Sequence, residues 1–374
     1  MVEEKMKILK MLEEGKITAD EAVNLLNSLD GKSKPNLDRG YESKNMQNNT
    51  QPKNKTESSF TMDLEKKIEV LSRDLEPKIK KAAKTIMDTA DSFAEKIAKS
   101  FSYSPAGPQS NDMTFEMYVS KGDNTQLRLK SKNGPIHIKG YNGDKITAKI
   151  KYSCKGGSQK IELLKVDNTY YLNYDEANFT FVAIEAFVPE FLFSRVFFES
   201  NSNVYVDALS GDEITILTND GSIELKNISA KNMKLESARG NILLENITGE
   251  LLRAESCNGY IDVKLSDIAK MDLLTSNGEI NIDSSIRELK AANYYEWNAE
   301  TSNAAIKLNS FRGFDIGYDF KALTSLNGIH VHIPSVDFIE NEKNFVKGMT
   351  KNYPSASKKV KINLETSNAP ITLY

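Results

Sequence analysis

The chain of 374 residues carries 49 Lys and Arg against 52 Asp and Glu, with 39% hydrophobic and 27% charged residues. That near-neutral balance excludes the basic excess of a nucleic-acid binder, so no nucleic-acid partner is expected. The two cysteines, Cys154 and Cys257, cannot build a disulfide framework or fill a structural zinc site, and the length allows two or three folded units.

The opening stretch, MVEEKMKILKMLEEGK, places acids and lysines where a secretory signal needs an apolar run, which predicts a cytoplasmic chain. Residues 1–31 read as a helical hairpin. Met6, Leu9 and Leu12 recur at helical spacing up to Gly15, and Thr18 opens a capping box with Glu21 ahead of Val23, Leu25, Leu26 and Leu29. Two helices this short bury too little to stand alone, so the hairpin is expected to self-associate or to dock on a partner.

Residues 32–60 are polar, with almost no aliphatic side chains, and read as a flexible linker. Residues 61–104 read as an amphipathic helix or coiled coil. It runs through Leu64, Ile68, Leu71 and Leu75, with a kink or a new start at Pro77, then continues through Ile79, Ala82, Ala83, Ile86, Ala90, Phe93 and Ile97. The near-heptad stripe and balanced charge favour a coiled coil or a helix packed on the next domain. Phe93, Ile97 and Phe101 beside Lys96 and Lys99 suit a membrane-surface helix instead.

From Met113 the pattern turns to β and an internal repeat dominates. GSIELKNISAKNMKLESAR from Gly221, GNILLENITGELLRAESCN from Gly240 and GYIDVKLSDIAKMDLLTSN from Gly259 have one common length, the block from Ser202 shares it, and Gly278 opens another unit. Counting from each start, offset 2 holds Val204, Ile223, Ile242, Ile261 and Ile280, and offset 4 holds Val206, Leu225, Leu244, Val263 and Ile282. Offset 12 holds Ile214, Met233, Leu252 and Met271, and offset 14 holds Ile216, Leu235, Ala254 and Leu273. Two alternating apolar pairs per unit mean two short strands, each turning one face inward, so successive units are expected to stack in register, strand on equivalent strand. The predicted fold is mainly β: residues 113–374 as a parallel β-solenoid with two strands per rung of about 19 residues. Gly134 starts an outlying copy with Ile136, Ile138, Ile146 and Ala148 at the same four offsets.

Further copies restart at Ala304, near Gly328 with the apolar phase slipped by one, and at Ala369. The intervening 293–300, 309–320 and 334–357 read as inserts, loops or added strands projecting from one end of the rungs. Residues 153–201 read as an excursion covering part of one sheet.

The recurring Ser/Thr-x-Asn-Gly corner has a structural explanation. Asn258-Gly259 and Asn277-Gly278 suit a left-handed backbone, and a Ser or Thr hydroxyl can bond a local amide there. With Gly134, Gly221, Gly240, Asn303, Asn327 and Asn368 these residues are expected to form stacked polar ladders rather than a ligand site. His330 and His332 share a strand face, but His137 is distant in sequence and no carboxylate has a persuasive spacing, so no metal site is expected. Cys257 lacks a local base, and no nucleophile elbow, phosphate loop or dinucleotide fingerprint occurs. No catalytic residue and no cofactor is expected. A carbohydrate-active β-helix enzyme would need outward acids on adjacent rungs, whereas offset 3 reads Tyr205, Glu224, Leu243, Asp262 and Asn281.

EEKMKILKMLEEGKITADEAVNLLNSL together with SNGEINI, SNAAIKL and the terminal ETSNAPITLY resembles the YvlB/LiaX-like family of Gram-positive bacteria. That family joins a SHOCT-like hairpin to a β-strand-repeat domain of toastrack type, classed among adhesin-like domains. The departures are Ser202, Ala304 and Ala369 in the glycine slot and the long 153–201 segment. The resemblance implies a non-enzymatic interaction protein of the cell-envelope stress response, with protein partners at the membrane. A surface adhesin and contact with the membrane surface stay open as alternatives.

Overall fold

The computed structural model describes residues 111–374, apart from 120–123, 157–158, 192, 286–287 and 311–314. The hairpin, linker and amphipathic stretch expected over 1–104 lie outside the described residues. Among the described residues every regular element is a strand. Eight strands precede the regular repeat: β1 (Asn111–Tyr118), β2 (Gln126–Lys130), β3 (Asn133–Tyr141), β4 (Lys145–Cys154), β5 (Ile161–Val166), β6 (Thr169–Tyr174), β7 (Phe179–Pro189) and β8 (Arg195–Ser200). The repeat is β9 (Val204–Thr218), β10 (Ile223–Ser237), β11 (Ile242–Ser256), β12 (Ile261–Lys264), β13 (Asp267–Thr275), β14 (Ile280–Asp283), β15 (Tyr294–Thr301) and β16 (Ile306–Asn309). The last group is β17 (Ile316–Thr324), β18 (Ile329–Val331), β19 (Val336–Asn341), β20 (Phe345–Thr350), β21 (Lys358–Thr366) and β22 (Ile371–Leu373).

The repeat stacks in parallel with the register its sequence implies: Ile223 lies opposite Val204 and Ile242, and Met233 opposite Ile214 and Leu252. One left-handed residue per rung, Ala208, Asn227 or Asn246 (φ 57°, 55° and 57°), bends each of β9, β10 and β11 so that its halves join different sheets. Leu265 (φ 51°) makes the same bend between β12 and β13. The first sheet runs β1-β4-β7-β3-β9-β10-β11-β12-β14-β16-β22-β18, and the second runs β5-β6-β2-β8-β9-β10-β11-β13-β15-β21-β17-β20-β19. Between them the offset residues form one continuous core in which Ile223, Ile242, Ile261 and Leu252 are wholly buried. Each such side chain stabilises the fold by about 1.5–3 kcal/mol through apolar burial.

Four expectations need correction. Ile136 and Ile138 pair with Val204 and Val206 at their offsets, but Ile146 and Ala148 lie on β4, which runs antiparallel to β7 and β1 in the first sheet. The bend position of that copy is Gly140, whose backbone is not left-handed, so β3 runs on and β8 supplies the neighbour of β9 in the second sheet. Residues 153–201 do not cover a face: β5 and β6 extend the second sheet edgewise, and β7 extends the first. Residues 293–300 and 316–320 are rung strands, not inserts, with Tyr295, Trp297 and Phe320 buried where other rungs carry smaller aliphatic residues. Finally, spatial order departs from chain order, because β21 and β22 lie between the β15/β16 rung and the β17/β18 rung.

Candidate binding surface

The corner residues form two stacked columns. Ser237, Ser256 and Thr275 are buried, and each hydroxyl accepts the N–H of the glycine three residues on, at 2.8, 2.9 and 3.2 Å. Each also donates to the carbonyl of the preceding rung's glycine, Gly221, Gly240 or Gly259, at 2.9, 2.9 and 3.0 Å. The glycines are needed for a reason other than the expected one. None of Gly221, Gly240, Gly259 and Gly278 is left-handed, but a Cβ on any of them would overlap the backbone of the rung before, as one on Gly134 would overlap Val182. Outside this column, Asn277, Asn303 and Asn368 each donate from Nδ2 to Oδ1 of the asparagine before, starting at Asn258, at 2.7, 2.7 and 2.6 Å. Asn327 stands outside the ladder and donates to the Asn368 carbonyl at 2.6 Å. The register sets Thr324 opposite Thr366 and Ile329 opposite Ile371, so Leu326, 70% exposed, takes the ladder position. The apolar residues there keep phase; it is the Asn-Gly pair that is displaced by one.

Outside the columns, the first sheet balances its own charge. One outward row reads Lys139, Asp207, Lys226, Glu245, Lys264 and Asp283 on successive strands, and Lys226 pairs with Glu245 at 3.3 Å. Opposite charges on neighbouring strands stabilise a sheet, and like charges oppose it. The parallel row beside it runs from His137 to His330 through eight strand spacings, about 38 Å, so these histidines cannot share a metal. Among the described residues no three His, Cys, Asp or Glu side chains are grouped closely enough to hold a metal ion. His332 stacks on Tyr374 with ring centroids 5.3 Å apart. His137 is buried against Tyr205 with centroids 4.6 Å apart, and desolvation pushes its pKa down to about 4. Cys154 is half-buried and Cys257 exposed.

Asp267 is also buried, yet it is fully engaged. Its carboxylate accepts the Lys290 and Ala291 amides at 2.7 and 2.9 Å and the Tyr295 hydroxyl at 2.9 Å, and so ties down the segment leading into β15. Burial raises the Tyr295 pKa further above its ordinary value.

The second sheet's outer face holds a groove of about 430 Å³. One row across it reads Arg253, Asp272, Asn298, Asn363 and Lys321 on five successive strands, and the next reads Glu255, Leu274, Glu300, Glu365 and Leu323. Its floor is tied together by Asn298 donating to Asp272 and Asn363 donating to Asn298, both at 2.8 Å. Glu300 and Glu365 lie directly in register, and among the described residues neither carboxylate has an ion pair or hydrogen bond. The nearby cations are occupied elsewhere. Arg253 bonds Glu255, Lys361 pairs with Glu296 at 3.6 Å, and Lys321 lies 5.8 Å over the Phe345 ring centroid. Offset 3 in the sequence did not reveal these acids, because they face outward from the other sheet and come from strands that are neighbours only through the insertion of β21. The recurrence of Glu before Thr in AETSN and LETSN, at 300 and 365, is the signal that could have found them.

A family model described as Toastrack DUF4097 matches residues 108–312, more than half of the chain. The chain belongs to the Toastrack DUF4097 family. A SHOCT-like domain model matches residues 3–34, so both halves of the expected resemblance are matched. No curated protein matches. Among solved structures, a "putative adhesin" from Bacteroides fragilis is 14% identical and covers 71% of this chain and 99% of its own, with a TM-score of 0.42. A "putative cell adhesion protein" from Clostridium sporogenes is 13% identical over 71% of this chain and 99% of its own, at a TM-score of 0.27. A "putative adhesin" from Parabacteroides distasonis is 8% identical over 71% and 97%, at 0.26. The match to the Toastrack DUF4097 model ends at residue 312, so Lys321, Asn363 and Glu365 on the far side of the groove come from rungs beyond the matched part.

Proposed function

We propose that this toastrack chain is a non-enzymatic interaction protein whose second-sheet outer face is its binding surface. The observation that carries the reading is the groove in which Glu300 and Glu365 stand in register without a counter-charge, on a molecule whose other face neutralises itself strand by strand. The resemblance to YvlB/LiaX-like proteins supports work in the cell-envelope stress response, with the N-terminal hairpin providing oligomerisation or docking at the cytoplasmic side of the membrane. Among the described residues no helix is long and apolar enough to cross a membrane. Two measurements test the reading. A photo-crosslinking residue at Leu323, in the groove, should capture a partner in cells that the same residue at Leu243, on the opposite face, does not; equal capture from both would reject it. Fractionation should recover the chain in cytosolic and peripheral-membrane pools, and recovery only at the cell surface would favour an adhesin.

Adjacent carboxylates also suit glycoside hydrolysis, where a retaining pair stands about 5–5.5 Å apart. The groove lining contains no aromatic side chain to carry a sugar ring, which weighs against that reading. Release of reducing ends from cell-wall polysaccharide, lost in Glu300→Gln, would restore it.

A further inference from the structure

We propose that the groove's occupant is an extended basic peptide segment of a partner protein, with one Lys or Arg set between two apolar residues. The inference rests on the reading of the groove as the binding surface and adds the chemistry of what fills it. Like charges in register oppose sheet formation, and the first sheet avoids them along six successive strands. On the second sheet Glu236 and Glu255 are in register too, but Lys234 and Arg253 pair with them. Glu300 and Glu365 stand in register inside a groove with no such partner, while Arg253, Lys361 and Lys321 are engaged with Glu255, Glu296 and the Phe345 ring. A single cation lying between the two carboxylates would satisfy both, and a guanidinium could bond each of them.

Spacing fixes the rest of the pattern. The row holding the acids is bracketed by Leu274 on one side and Leu323 on the other, three strand spacings apart, or about 14 Å. An extended chain repeats its side-chain direction about every 6.8 Å, so residues i, i+2 and i+4 span nearly the same distance. A segment running along the solenoid axis with apolar residues at i and i+4 and a base at i+2 therefore sets its base over the acid pair and its apolar ends over the two leucines. The Asn298 and Asn363 side chains beside that row are placed to bond its backbone.

A fluorescently labelled peptide with leucine, serine, lysine, serine and leucine at its centre, titrated against the full chain by anisotropy, tests this. Binding should weaken at least tenfold in the Glu300→Gln, Glu365→Gln double variant, at least tenfold when the central lysine is replaced by glutamine, and steeply between 50 and 300 mM salt. Both substitutions are on the outer face, and the double variant should melt no lower than the parent, since a repulsive pair is removed. No binding, equal binding by the glutamine peptide, or unchanged binding by the double variant would overturn the proposal. Capture from Leu323 together with any of these would reject the basic-peptide ligand and leave the groove as the binding surface.

Discussion

Replacing Gly259 by alanine tests the stacking geometry at its tightest point. A methyl group there would overlap the Gly240 carbonyl and lie 2.7 Å from the Asn241 nitrogen, against 3.4 Å or more for ordinary contact. The chain itself shows what relief requires. Inter-rung bonds just after the glycine slot measure 2.8 Å for Ile223 to Asn241 and 2.9 Å for Ile242 to Tyr260 and for Ile261 to Glu279. Where Ala304 and Ala369 occupy the slot, the matching bonds are 3.1 Å for Ile280 to Ala305 and 3.2 Å for Ile306 to Pro370. At Gly259 such a shift would have to occur between rungs that are tight on both sides and would stretch the Ser256 and Thr275 bridges. Overpacking of this kind costs about 1–3 kcal/mol, and in a domain of this size the melting temperature should fall by roughly 2–12 °C. Ala304→Gly, in the loosened part of the stack, should change it by only about a degree or two. Calorimetry of the two variants checks both; a Gly259→Ala protein melting with the parent, or an Ala304→Gly protein losing as much, would refute the close-stacking argument.

Ile242→Asp puts a charge into the core between Ile223 and Ile261, at a cost of several kcal/mol, and should abolish the cooperative melt. Asp267→Ala leaves two amides and the Tyr295 hydroxyl without their acceptor and should cost about 3 kcal/mol in urea unfolding, with Asp267→Asn intermediate. His137 is held neutral to about pH 4 in the folded state, whereas the unfolded chain binds its proton near pH 6.5. The unfolded state therefore takes up more protons between these values, and stability present above pH 6.5 should fall by up to roughly 3 kcal/mol on acidification to pH 4. Urea melts over this range should show a shallower loss in His137→Phe, and parallel slopes for the two proteins would rule the effect out.

How much was legible follows from which residues repeat. The four apolar offsets from Gly221 to Gly278 gave the register, because a parallel stack sets each residue on its own copy and a one-residue slip would turn the core outward. The rung at 294–309 was missed in its first strand because Trp297 and Ala299 stand opposite Met271 and Leu273, and a rule written in leucine and isoleucine does not register them. The bend was missed for a different reason. Ala208, Asn227, Asn246 and Leu265 share a backbone angle, not a side-chain type, and only the two asparagines belong to a residue type that takes it readily. The cause expected for the corner glycines was positive φ, whereas close approach is what the stack requires; both select glycine, and sequence cannot separate them.

The groove's acids leave a local trace in AETSN and LETSN, but no local pattern encodes their pairing. Its acids lie in register only because β21 enters between β15 and β17, strands that chain order would make neighbours. Were those two strands paired directly in the same phase, Lys321 would face Asn298 and Leu323 would flank Glu300, and Glu300 would have no acid beside it. The inserted strand contributes Asn363 to the floor and Glu365 to the wall. It also buries Ile362 and Leu364 in the core, so it could not be held there weakly. The step that completes the solenoid therefore also sets Glu365 beside Glu300, whereas the other acid pair in this row, Glu236 and Glu255, is matched by Lys234 and Arg253. A binding surface made this way exists only in the finished fold, and any partner that reads it distinguishes the closed solenoid from a chain whose last rung is still out of place.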